Sequence, residues 1–99
     1  MSAKLSDEAI AGLLADLPGW EHANNHLTSS FKFDDFSEAL GFMMRAGLVC
    51  EKLNHHPNWY NVYNKVDVQL WTHDEGGVTG LDIKLATAMN EIAGRGSPS

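Results

Sequence analysis

The stretch "DDFSEALGFMMRAGLVCEKL", residues 34–53, limits the fold more than any other part of the chain. Apolar side chains recur at helical spacing on two stripes, with Phe36, Leu40, Met43, Gly47 and Cys50 on one and Phe42, Ala46, Val49 and Leu53 on the other. A helix of about twenty residues that is apolar over more than half its circumference has to be covered on two sides. Its own sheet is one cover and a second subunit the other, so the chain is expected to assemble. Asp34 or Asp35 can cap the first turn, whose amides lack partners. Pro57 is expected to end the helix, because the residue before a proline is driven out of the α region.

The flanking segments fit around this helix. Ser6, Asp7 and Glu8 open a first helix carrying Ile10, Leu13, Leu14 and Leu17, and Pro18-Gly19 stops it. Residues 20–33 alternate Leu27, Ser29, Phe31 and Phe33 against polar neighbours, with Asn24-Asn25 suited to the left-handed backbone of a hairpin turn. "WYNVYNKVDVQLW" reads as a second hairpin turning at Asn64-Lys65. That register puts Trp59, Tyr63, Val66, Val68 and Leu70 on the core face, and Tyr60, Asp67, Gln69, Trp71 and His73 on the other. Thr79, three residues before Asp82, forms a capping box for a third helix with Leu81, Leu85, Ala88, Met89 and Ile92, closed by Gly94. The order α-β-β-α-β-β-α predicts an α+β, two-layer fold, a four-stranded antiparallel sheet with three helices on one face. Residues 1–99 read as one domain, with 94–99 a frayed tail.

Composition excludes several function classes. Thirteen acidic against seven basic residues give a net charge of -6 with no cationic cluster, which argues against direct nucleic-acid binding. No segment approaches the roughly 20 apolar residues of a membrane span, and the N-terminus resembles no signal peptide, so a soluble cytoplasmic protein is expected. The single cysteine, Cys50, lies in an apolar helix and is expected to be buried and reduced.

Chemistry concentrates in "CEKLNHHPNWYNVYNKVDVQLWTH", residues 50–73. Glu51 and His55 share a helix face if the helix runs to its last turn, and His56 then points roughly 100° away. His73 can join this pair if the fourth strand returns toward the end of the long helix. Imidazoles, with an ordinary pKa of about 6.5, give and take protons near neutrality. Two other readings compete. Histidines at a helix end can simply satisfy its last carbonyls. Three histidines and a carboxylate can also hold zinc, although HExxH and paired CxxC motifs are absent.

The run from Glu51 through "NHHP", "NVYNKV" and "TH" to "LDIKLA" closely resembles the pterin-4a-carbinolamine dehydratases, also known as dimerisation cofactors of a homeodomain transcription factor. The resemblance implies the α+β fold, a sheet continued across a homodimer and, in some members, a homotetramer packed through the long helices. It implies dehydration of 4a-hydroxytetrahydropterin to quinonoid dihydropterin, recycling the pterin used by an aromatic amino acid hydroxylase, with no cofactor and no metal. By the same resemblance His55, His56 and His73 are the active-site histidines, and Glu51 and Asp82 their carboxylate support. Asn54, Trp71, Thr72 and Asp74 fall on substrate-contacting positions. Asn54 stands where many members have aspartate, and Trp71 where animal members have serine. On this reading His55 or His73 donates a proton to the leaving oxygen, and His56 orients the pterin or accepts a proton. The alternative function is a non-catalytic dimerisation or coactivator module built on the long helix.

Overall fold

The structure, a computed structural model, describes residues 3–95. Helix α1 (Asp7–Leu14) leads into a hairpin of β1 (Glu21–Ala23) and β2 (His26–Lys32), then α2 (Phe36–Leu53). A second hairpin, β3 (Asn58–Val62) and β4 (Lys65–Leu70), is followed by a short 3-10 turn (His73–Glu75) and α3 (Gly80–Ala93). The strands form one sheet in the order β1-β2-β4-β3, with every neighbouring pair antiparallel.

The two-layer arrangement follows from side-chain alternation. Leu27, Ser29 and Phe31 of β2 and Val66, Val68 and Leu70 of β4 are buried on one face. They pack with Ile10, Phe42, Ala46, Leu85 and Met89 of the helices. The opposite face carries Ser30, Lys32, Tyr60 and Gln69 and is open. Asp35 caps α2, its side chain accepting from the Glu38 amide at 2.8 Å. The first hairpin turns at Asn24-Asn25, both with positive φ, as a two-residue turn matched to strand twist demands.

The second hairpin departs from its sequence reading. Val62 pairs with Lys65, so the turn is Tyr63-Asn64, one residue earlier than expected. Asn64 is held by Phe33, whose amide donates to its carbonyl while its own side chain donates to the Phe33 carbonyl, both at 2.8 Å. Tyr63 therefore takes the turn, at φ +50°, and is 61% exposed instead of lying on the core face. On α1, Leu13 is likewise exposed, and Leu17 beyond the helix is buried in its place.

Helix α2 buries Ala39, Phe42, Ala46 and Cys50. Phe36 and Leu40, expected on a covered stripe, are exposed, and with Met44 at 67% and Leu48 at 73% they form an apolar row at four-residue spacing. The end of α3 is tied down where a frayed tail was expected. Gly94 takes φ +74° and closes the helix, and Arg95 donates to Ser29 Oγ and the Ser30 carbonyl, each at 2.6 Å. The Arg95 guanidinium also lies 3.8 Å from the Phe31 ring centroid, a cation-π contact. Residues 96–99 of the expected tail lie outside the described residues. A buried bond from Trp20 Nε1 to Asn90 Oδ1, 2.9 Å, joins the first hairpin to the same helix.

Candidate active site

The site begins where α2 stops. The helix ends at Leu53, not at the residue before Pro57, because Asn54 takes a left-handed conformation, φ +51°. The His55 amide then donates back to the Cys50 carbonyl at 3.0 Å and the Asn54 amide to that of Glu51 at 3.2 Å. These two bonds are a Schellman closure. Asparagine is the commonest non-glycine residue able to sit there, because its short polar side chain tolerates the left-handed region.

This ending rearranges the expected carboxylate support. With the chain reversed at Asn54, four-residue helical spacing no longer brings Glu51 and His55 together. Glu51 is exposed and does not bond His55, and Asp82 of α3 takes that place. His55 Nε2 donates to Asp82 Oδ1 at 2.5 Å, with the imidazole 10% exposed and the carboxylate fully buried.

Asp82 is placed by the start of α3. Its Oδ2 accepts from the Thr79 amide and from Thr72 Oγ1, each at 2.9 Å, so a capping-box residue serves the site with its other oxygen. Thr72 and Thr79 hydroxyls lie 2.7 Å apart, and Thr79 Oγ1 accepts from the Leu81 amide. Each hydroxyl has one proton. If Thr72 gives its proton to Asp82, Thr79 must donate to Thr72, and the chain of donors ends on the carboxylate. Every donor aimed at Asp82 thus leaves His55 with its Nε2 proton committed and Nδ1 as the nitrogen left for other chemistry.

The other residues arrive by strand pairing. Asn58 opens β3 opposite Gln69 of β4, so the segment before β3 and the segment after β4 run side by side. That settles the direction of the fourth strand and carries His73 to the histidine pair. The strand itself ends at Leu70, and His73 opens the 3-10 turn. A bridge between Thr72 and Gly77 closes the loop. Together these segments enclose a cleft of about 300 Å³. It is lined by Asn54, His55, His56, Pro57 and Asn58, from the end of α2 to the start of β3, and by Trp71, Thr72, His73 and Asp74, from the segment after β4.

All seven residues expected to contact a substrate therefore meet at one cleft, with Asp82 behind it and Glu51 outside it. Sequence reasoning treated Thr79 as a helix cap only and gave no role to His26. The six-membered constellation of two threonines, carboxylate and three histidines is absent from a larger hollow, about 400 Å³, on the open sheet face. There the Ser30 hydroxyl is already committed to Asp67 at 2.5 Å. Among the described residues, no three histidine, cysteine, aspartate or glutamate side chains converge as a metal site requires.

Comparisons with known proteins point the same way. A sequence model of the family described as pterin 4 alpha carbinolamine dehydratase matches residues 3–92. A protein of Prochlorococcus marinus, provisionally named a pterin-4-alpha-carbinolamine dehydratase, is 54% identical over 88 residues, 89% of this chain and 92% of its own. One of the same provisional name from Afipia carboxidovorans is 54% identical over 97 residues, 96% of this chain and 97% of its own. A crystal structure from Brucella melitensis, described as a transcriptional coactivator/pterin dehydratase, superposes with a TM-score of 0.89 at 52% identity, covering 91% of this chain and 98% of that one. With the family model, these relatives and the fold in agreement, the chain belongs to the pterin-4a-carbinolamine dehydratase family.

Proposed function

We propose that the chain is a hydro-lyase that dehydrates a 4a-hydroxytetrahydropterin to quinonoid dihydropterin, using histidines for the proton transfers. The observation that carries this reading is the His55–Asp82 pair, braced by Thr72 and Thr79, at a cleft that His56 and His73 also line. The reaction breaks the C4a–O bond, with its electron pair leaving on oxygen, and a donated proton completes water. The N5 proton is lost and the N5 electrons form the C4a=N5 bond, so the balance is redox-neutral.

His55, oriented by Asp82, handles one of these protons through Nδ1, and His73 the other across the cleft. His56, exposed beside them, holds the pterin ring. Positioned acid-base groups typically contribute about 10² to 10⁴ fold each. The product suits return to the tetrahydropterin by a reductase, and the reading assigns the enzyme to pterin recycling for a cytoplasmic aromatic amino acid hydroxylase. Stopped-flow absorbance of freshly generated 4a-hydroxytetrahydropterin tests the proposal. Wild-type protein is expected to speed its decay well beyond buffer, and a rate equal to buffer sinks the assignment.

A second reading is supported by the exposed row Phe36, Leu40, Met44 and Leu48 on α2. Such a row suits a partner helix, in a homodimer or homotetramer or in the coactivator role named for the Brucella structure. Light scattering at micromolar concentration is expected to give an oligomer, and a monomer there contradicts it.

A further inference from the structure

His55 is oriented by a carboxylate, whereas no hydrogen bond or ion pair holds the exposed imidazole of His73 among the described residues. A proton-transferring group must nevertheless be held to within about 10–20° of its working geometry. The contact that His73 does make is with Trp71, their ring centroids 4.5 Å apart and their planes 24° from parallel. The same indole stacks on His26, at 3.9 Å and 17°.

Strand register explains why His26 is there. Leu27 of β2 pairs with Leu70 of β4, so His26 stands directly across from Trp71, one step beyond the last bonded pair. Leu27 and Leu70 point into the core, and alternation turns His26 and Trp71 to the other face of the sheet. Trp71 and His73 line the cleft, and His26 is outside it. His26 therefore reaches His73 only through the indole.

We propose that His26 is a positioning residue for the reaction, pressing on Trp71 so that the indole fixes the His73 imidazole at the cleft. The inference rests on the dehydratase reading of the cleft. Near-parallel aromatic contact restricts both rings to a narrow range of orientations, and Trp71 cannot swing aside while His26 occupies its face. His26 lies outside the cleft and leaves Trp71 present at it, so its larger effect falls on how well the bound substrate reacts and its smaller one on how tightly substrate binds.

The test uses the full chain with His26→Ala and His26→Phe, the second keeping a flat ring against Trp71. His26→Ala is expected to lower kcat roughly three- to tenfold, the worth of one aromatic pair felt at the transition state, with KM within about twofold. His26→Phe is expected to recover kcat to within about twofold of wild type. By NMR, the His73 ring protons, shielded by the indole in wild type, are expected to move toward unstacked positions in His26→Ala and to stay shielded in His26→Phe. Wild-type kcat in His26→Ala, failure of His26→Phe to restore it, or an unmoved His73 signal overturns the proposal. A wild-type protein with no dehydratase rate overturns the reading of the cleft instead, and the His73 signal then still decides whether His26 holds the stack.

Discussion

His55 and His73 border the same cleft and are held in opposite ways. His55 is almost enclosed, bonded to a buried carboxylate that also takes a threonine hydroxyl and a helix-cap amide. His73 is exposed in a three-residue 3-10 turn and leans on an indole. The first arrangement is directional and sealed from water, so it is part of what keeps the fold together. The second is a stack of surfaces at the end of the two central strands, β2 and β4, which the fold can lose without harm. Changes on the His55 side should therefore damage stability and activity together, and changes on the His73 side activity alone.

The sharpest way to break this contrast is Asp82→Ala. It strands the Thr79 amide, the Thr72 hydroxyl and the His55 Nε2 proton in a buried setting, which should cost about 3 kcal/mol of unfolding free energy. The dehydration rate should fall by roughly 10²-fold or more, since His55 loses its orientation. Urea denaturation and stopped-flow kinetics on the same sample check both effects. His73→Ala should cut the rate by about 10²-fold and leave the urea midpoint essentially unmoved, within about 0.5 kcal/mol. Equal destabilisation by the two variants removes the distinction.

Thr72→Val is an intermediate case. It keeps shape but removes one of the donors to Asp82, so a loss of about 1–2 kcal/mol is expected, with a rate decrease of roughly tenfold. The smallest effect concerns Cys50, buried in the last turn of α2. Burial pushes its thiol up from the ordinary range. A folded value above the unfolded one gives stability that is full below the unfolded value, about 8.5, and declines as pH rises past it. Native protein should accordingly react with iodoacetamide at pH 8 far more slowly than urea-unfolded protein, as mass spectrometry can follow.

Much of this architecture was legible in the residues, and the part that was not has a physical reason. Element order follows from hydrophobic period and from capping residues, and Ser6, Asp35 and Thr79 all cap where expected. Pairings set within one hairpin were also close, with an error of one residue where Asn64 bonds to Phe33, just beyond the end of β2. What local patterns do not contain is strand order. Only the pairing of β2 with β4 brings His26 to Trp71, and nothing near His26 signals it.

The site shows the same divide. The histidines and most of the residues facing them lie within one stretch and were found by their spacing and resemblance. Glu51 was assigned to His55 on the condition that the helix continue, and the left-handed Asn54 ends it first. Asp82 at the third helical position announced a capping box, but its second oxygen serves His55 only because α3 packs beside the end of α2. Tertiary packing, rather than any local signal, chose between the two carboxylates.

The central claim is that the carboxylate-held His55 and the stacked His73 together dehydrate the 4a-hydroxypterin. Stopped-flow decay of that compound, with wild type compared with the His55→Ala, His73→Ala double variant, tests it most directly. A large acceleration by wild type, reduced to the buffer rate in a double variant that still folds, is the expected result. A folded double variant as fast as wild type would contradict the account.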